Sequence, residues 1–198
     1  AVGKDLSLAD LELIAGRITR YLRDRGYFVA TAYIPVQSIH NNTVEIAILL
    51  GQYGNITIRN HSFLTAGRAR SFLSILRRGD YVRSEPLERA LLLVDDIGGV
   101  KARATLAPGS MPGATDIIVD ITNSKRFDGS LSFDNYGDAF TGQYRGNFNL
   151  NIKNLSGIGD QAAIGVVYAG GAMDNGSLTY QVPVGSHGSK LGAGYSRT

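Results

Sequence analysis

The stretch Gln143-Tyr144-Arg145-Gly146-Asn147-Phe148-Asn149-Leu150-Asn151-Ile152-Lys153 decides how the chain is read. Tyr144, Gly146, Phe148, Leu150 and Ile152 fall on one side, and Gln143, Arg145, Asn147, Asn149 and Asn151 on the other. Successive side chains of a strand point to opposite faces, so this is a strand with one apolar face and one face of amides. The alternation returns in Ala162, Ile164, Val166 and Tyr168, and again in Leu178, Tyr180, Val182 and Val184. Turn clusters at residues 138–142, 155–160, 170–175 and 185–189 separate the runs. Each strand has the length of about 9–11 residues that a tilted transmembrane β-strand needs. A soluble antiparallel sandwich alternates too, although its outer face is usually richer in Lys and Glu than these amides, hydroxyls and glycines. The pattern alone leaves both architectures open.

Upstream of residue 126 the periodicity changes. Residues 53–59 predict a strand, with Ile56 and Ile58 alternating against Asn55 and Thr57. Thr65 is placed to cap a helix reaching about Leu76 and burying Phe72, Ile75 and Leu76. Gly79-Asp80 turns the chain, and Ser84 opens a second helix with Pro86 in its first turn. Leu87, Ala90, Leu91 and Val94 form its apolar stripe, and Gly98-Gly99 ends it. Strands follow at residues 100–106 and 115–121, linked by the breaker-rich residues 107–113. The order is β-α-α-β-β.

The first 51 residues repeat the last three of these elements. Ser7 and Asp10 make an abbreviated capping box, and Leu8, Leu11, Ala15, Ile18 and Leu22 recur at helical spacing. Gly26 is the predicted stop. Strands at 27–35 and 43–50 are joined through His40-Asn41-Asn42. The chain therefore reads as one and a half copies of a module, followed by a different β region.

Composition narrows the function classes. A net charge of +3 over 198 residues is no electrostatic footprint for nucleic acid. With no cysteine, disulfides and thiolate metal sites are excluded. No apolar run reaches the roughly 18 residues of a membrane helix, which leaves closed β-barrels untouched. Ala1 leads to Lys4 and Asp5 without an apolar stretch, so a leader, if the protein is exported, is expected outside this sequence.

The β-α-α-β-β unit resembles a POTRA domain, the periplasmic module of Omp85-superfamily transporters. Leu87-Glu88-Arg89-Ala90-Leu91-Leu92-Leu93-Val94-Asp95-Asp96-Ile97-Gly98-Gly99-Val100 resembles the second helix and turn of the two-partner secretion (TpsB-type, haemolysin secretion-activation) branch. So do Leu106-Ala107-Pro108-Gly109 and Gly113-Ala114-Thr115-Asp116. Asp134-Asn135-Tyr136-Gly137-Asp138, Thr141-Gly142-Gln143-Tyr144-Arg145-Gly146, Gly157-Ile158-Gly159-Asp160 and Tyr180-Gln181-Val182-Pro183-Val184-Gly185 are similar to the first barrel hairpins of that branch. The resemblance implies α+β POTRA modules followed by antiparallel transmembrane strands of an incomplete barrel. It assigns residues 1–51 to the C-terminal part of a first POTRA domain, 52–124 to a second, and 125–198 to the first barrel strands. The opening strand and helix of the first module, the family's plug helix and its arginine signature loop are missing, and four or five strands cannot close a barrel. A fragment is expected.

The remaining candidates point to no chemistry. Asp95 and Asp96 are neighbours on a helix and diverge by about 100°. His40, His61 and His187 are scattered through turns without ligand spacing, and Asp134 to Asp138 has the wrong spacing for a calcium loop. Gly157-Ile158-Gly159 precedes no helix and is no dinucleotide fingerprint. No catalytic, cofactor or metal residue is expected. Arg68, Arg70, Arg77 and Arg78 are read as a solvated helix face, against a role with an acidic client or lipid headgroups.

What the resemblance implies for function is a bacterial outer-membrane transporter with its POTRA domains in the periplasm. It would capture an unfolded, TpsA-like secreted exoprotein there and conduct it through a barrel that also meets outer-membrane lipid. The docking candidates are the edge strand Val100, Ala102, Ala104 and Leu106, with Leu87, Leu91 and Val94 as the groove wall. An assembly factor that inserts other barrels, and a secreted β-rich binding module, are the alternatives.

Overall fold

The computed structural model describes residues 6–39, 41–137, 140, 142–170 and 174–198. Lys4, Asp5, His40, Asp138 and Thr141, which figure in the sequence reading, lie outside the described residues, as do residues 171–173 of one predicted turn. The elements are α1 (Leu8–Asp24), β1 (Thr31–Tyr33), β2 (Ala47–Leu49), β3 (Gln52–His61), α2 (Ala66–Leu73), α3 (Ser84–Asp95), β4 (Val100–Pro108) and β5 (Ala114–Asn123). Five more strands follow: β6 (Phe127–Asp134), β7 (Arg145–Lys153), β8 (Gln161–Tyr168), β9 (Asn175–Val184) and β10 (Ser189–Arg197). The order β-α-α-β-β is thus realised by β3 to β5. Two compact units are present, one of residues 1–57, 76–89 and 105–118, the other of residues 58–75, 90–104 and 119–198.

In the first unit, α1 starts on the expected capping box: the Asp10 N–H donates to Ser7 Oγ at 3.3 Å, and the Ser7 N–H to Asp10 Oδ2 at 3.0 Å. Two of the orphan donors at the helix start are satisfied this way. Gly26, at φ 88°, takes the left-handed turn after the helix, and the Tyr27 N–H reaches back to the Leu22 carbonyl at 3.1 Å. Thr19 Oγ1 accepts the Ala32 N–H at 2.9 Å, tying β1 to α1. β1 and β2 pair antiparallel for three residues each, far less than the predicted 27–35 and 43–50. The reason is local. Pro35 cannot donate to a ladder, and beyond it the Gln37 side chain replaces a partner strand, bonding Glu45 O at 2.9 Å and Glu45 N at 2.8 Å. Asn41 and Asn42, both at φ near 50°, make the turn. The core of this unit holds Ala15, Ala30, Ala32, Tyr53, Leu76, Val82, Leu87 and Ile117.

α2 stops at Leu73, where Ser74 Oγ bonds back to the Ser71 carbonyl at 2.7 Å, so it ends before the predicted Leu76. Phe72 and Leu76 are buried, but Ile75, past the helix end, is 41% exposed and not a core residue. In the second unit Leu64, Ala69, Phe72, Leu73, Ala90, Val94, Ile97, Val100, Val119 and Ile121 are buried.

β6 to β10 form an antiparallel meander in the order β10-β9-β8-β7-β6. The register keeps like with like. Leu150 pairs with Ile164, Ile164 with Leu178, and Leu178 with Tyr195 on one face. Ser130 pairs with Asn149, Asn149 with Gly165, and Gly165 with Ser177 on the other. A slip of one residue in any pair would mix the faces.

Candidate functional site

β4 lies at one side of its sheet, whose order is β3-β5-β4. The Gly99 carbonyl accepts the Ser124 N–H and the Gly109 N–H donates to the Ala114 carbonyl, both at 2.9 Å, so the odd positions of this strand face β5. Successive backbone groups point to opposite sides, so the even positions direct their N–H and C=O groups to the open edge. The Ala102 N–H confirms this parity: it donates to Asp95 Oδ1 at 2.8 Å rather than to β5. Lys101 Nζ holds the other Asp95 oxygen at 3.1 Å. Of the seven docking candidates, Leu87, Val94 and Val100 are buried, Leu91, Ala102 and Ala104 are half-buried, and Leu106 is exposed. The last four therefore keep part of their side-chain surface accessible.

Two arginines organise the end of the meander where β6 begins. The Arg68 guanidinium, half-buried against the Phe72 ring at 5.4 Å, donates to the carbonyls of Ile158 (3.1 Å), Gly185 (3.3 Å) and Pro183. Arg68 is thus not part of a solvated face as expected, whereas Arg70, Arg77 and Arg78 are exposed. Arg126 holds the start of the β7–β8 turn in the same way, donating to Asn154 O at 2.7 Å with its planar group 4.6 Å from the Phe63 ring. Five donors in a rigid fork let one guanidinium gather several turn carbonyls. The Thr65 N–H adds a bond to Gly157 O at 2.8 Å. Gly157 is at φ 84°, and a Cβ there would fall 2.7 Å from the Phe63 carbonyl, so only glycine fits.

Between these clamps lies a buried polar knot. Asp160 and Asn154 have no exposed surface. Burial raises the Asp160 pKa, but the Ser156 N–H at 2.9 Å and the Tyr180 hydroxyl at 2.8 Å outweigh it and hold the carboxyl below its ordinary 3.8. Asn154 Oδ1 accepts the Gly159 N–H at 2.9 Å. Nothing in the local pattern announces this knot except the Gly-x-Gly-Asp run itself.

The meander is sorted by face, not by chemistry at a point. Leu131 (66% exposed), Leu178 (52%) and Tyr195 (71%) stand exposed on the apolar face. The opposite face carries Ser130, Ser132, Asn147, Asn149, Asn151, Ser177 and Thr179, with an ion pair between Arg145 and Asp134 at 3.0 Å near its far end. No helix among the described residues is long and apolar enough to cross a membrane, which says nothing of strands. Among the described residues no His, Asp and Glu gather as metal ligands would.

An α+β module with an open edge strand, followed by an antiparallel meander with one apolar face, is the fold of a POTRA module joined to β-barrel strands. Residues 113–198 match the family described as haemolysin secretion/activation protein ShlB/FhaC/HecB, and residues 1–51 match the ShlB-type POTRA domain. The chain belongs to this family. It is 32% identical over 197 residues to the heme/hemopexin transporter protein HuxB of Haemophilus influenzae (strain 86-028NP), covering 96% of this chain and 34% of that protein. The outer membrane transporter CdiB-2 of Burkholderia pseudomallei (strain 1026b) is 24% identical over 163 residues, 82% of this chain and 27% of that protein. The structure of CdiB from Escherichia coli superposes with a TM-score of 0.74 at 18% identity, covering 96% of this chain and 36% of that one. The chain thus spans about a third of the length of the relatives it matches. These relatives are transporters rather than enzymes, and the family places the chain in the bacterial outer membrane with its POTRA modules in the periplasm.

Proposed function

We propose that the chain is the POTRA and first-strand portion of a two-partner secretion transporter. In this reading residues 1–51 are the end of one POTRA domain, 52–124 a second, and 125–198 the opening strands of the barrel. A TpsA-like exoprotein, still unfolded, pairs with the β4 edge in the periplasm and passes along the polar face of the barrel to the outside. Outer-membrane lipid covers the apolar face. The observation that supports capture most directly is the parity of β4: Ala104 and Leu106 turn their backbone groups away from β5 to an edge with no neighbouring strand among the described residues. Backbone pairing needs no client sequence, and it suits a partner that arrives extended. Leu91, half-buried, keeps apolar surface for contact with the client, and Pro108 ends the ladder because it has no N–H.

The test follows from the same parity. Ala104→Pro removes an outward donor while leaving the bonds to β5 in place. Client binding by the full-length transporter should fall at least about tenfold, with unchanged protein in the outer membrane; intact binding would sink the edge reading. Proteomics of culture medium and outer membranes, with and without the full-length gene, tests the wider function. Loss of one large exoprotein from the medium supports it, and broad depletion of unrelated barrels would make the protein an assembly factor instead.

A further inference from the structure

Asp95 sits where a carboxylate is electrostatically misplaced. It is the last residue of α3, whose final turn contains no basic side chain. The helix end carries partial negative charge, so an anion there is disfavoured. What holds it is outside the helix: the Ala102 N–H at 2.8 Å on Oδ1, and Lys101 Nζ at 3.1 Å on Oδ2. Ala102 lies on β4, and its N–H points to the open edge of that strand, on the side away from β5. The carboxylate therefore occupies a backbone donor that edge pairing would otherwise use.

We propose that Asp95 is an intramolecular latch on the β4 edge: its carboxylate takes the Ala102 N–H, so a docking extended chain pairs from Ala104 onward unless it displaces Asp95. The inference rests on the edge-docking reading and adds to it a starting register and a competitor. Two features make the latch exchangeable rather than permanent. The helix end opposes the carboxylate it carries, and Lys101, with a side chain 60% exposed, anchors it only through a solvated ion pair. Two features make it specific. Both oxygens are engaged by different groups, which fixes the carboxylate plane, and the Ala102 and Ala104 side chains are too small to screen the edge from it. A charged acceptor on an edge donor also keeps that donor from pairing with stray strands, a common means of guarding sheet edges.

The probe is a fluorescent octapeptide of alternating Thr and Val, blocked at both ends, titrated by anisotropy into the full-length transporter. Wild type is compared with Asp95→Ala, which frees the donor, and Asp95→Asn, whose amide oxygen still accepts it. The latch predicts that Asp95→Ala binds about threefold to tenfold more tightly, the worth of one regained backbone bond, while Asp95→Asn stays at the wild-type affinity. Equal tightening in both variants would mean that charge, not the occupied donor, matters, and would overturn the latch. So would unchanged or weaker binding in Asp95→Ala when Ala104→Pro still abolishes binding; the edge reading then survives alone. Failure of the peptide to bind either wild type or Asp95→Ala overturns the edge reading and the latch together. Heat-modified electrophoretic mobility of each variant, matching wild type, shows that the barrel is intact.

Discussion

Asp160 is a fully buried carboxylate that stays ionised at neutral pH, because the Ser156 N–H and the Tyr180 hydroxyl give back more than burial takes away. Its pKa is depressed in the folded state relative to the ordinary 3.8, so its contribution to stability is present above that value and is lost as pH falls through the lower, folded-state pKa. Replacing it with alanine strands the Ser156 and Tyr180 donors, a loss of about 1–3 kcal/mol for a buried bonded group. Thermal melting of the full-length protein in detergent should show Asp160→Ala destabilised at neutral pH. The gap to wild type should close as the pH drops below about 3.8. A gap that is constant with pH would mean that lost packing, not the carboxylate, is responsible.

At the scale of elements, the Arg68 side chain ties α2 to the meander. Arg68 reaches three carbonyls, in the turn after β7, at the end of β9 and in the turn after it. Arg68→Ala should free those turns, seen as faster hydrogen exchange across residues 156–159 and 185–188, and lower secretion several-fold with outer-membrane levels unchanged. Arg68→Lys should recover little, because a single ammonium lacks the planar fork that spans three acceptors. If Lys restores both exchange and secretion, charge alone is sufficient. The sequence did not announce this arginine, since its partners lie about 90 to 117 residues away and are backbone carbonyls, which carry no residue code. Periodicity did announce the elements themselves: the capping box of α1, the stripe of α3 and the alternation of β7 to β9 each rest on neighbours in sequence. Where a strand's length depended on a non-local substitute, as with Gln37 bonding Glu45, the prediction ran too long. The docking candidates divided for a related reason. Alternation identified one face of β4 and one stripe of α3, but not that Leu87, Val94 and Val100 on them are sealed inside.

For the molecule as a whole, the meander matters because its two faces are sorted by polarity, and the proposed function gives each a different solvent. Leu150, Ile164, Leu178 and Tyr195 form a continuous cross-strand row from β7 to β10, and Ser130, Asn149, Gly165 and Ser177 form the row behind it from β6 to β9. Ile164 and Asn149 lie in the middle of adjacent strands, at nearly the same depth, and differ only in the face they occupy. An arginine at a lipid-facing position near the bilayer centre costs about 2–4 kcal/mol, while a lumen position tolerates it. Ile164→Arg in the full-length transporter should therefore lower the amount folded in the outer membrane and shift its urea midpoint down. Asn149→Arg should leave both near wild type and act only on what passes along the polar face. The pair of variants isolates the face from the strand, since Asn149 and Gly165 are direct partners and Leu150 and Ile164 are the next pair along. Equal losses in both would mean that the two faces meet the same medium, and the lipid and water sides of the barrel would have to be assigned afresh.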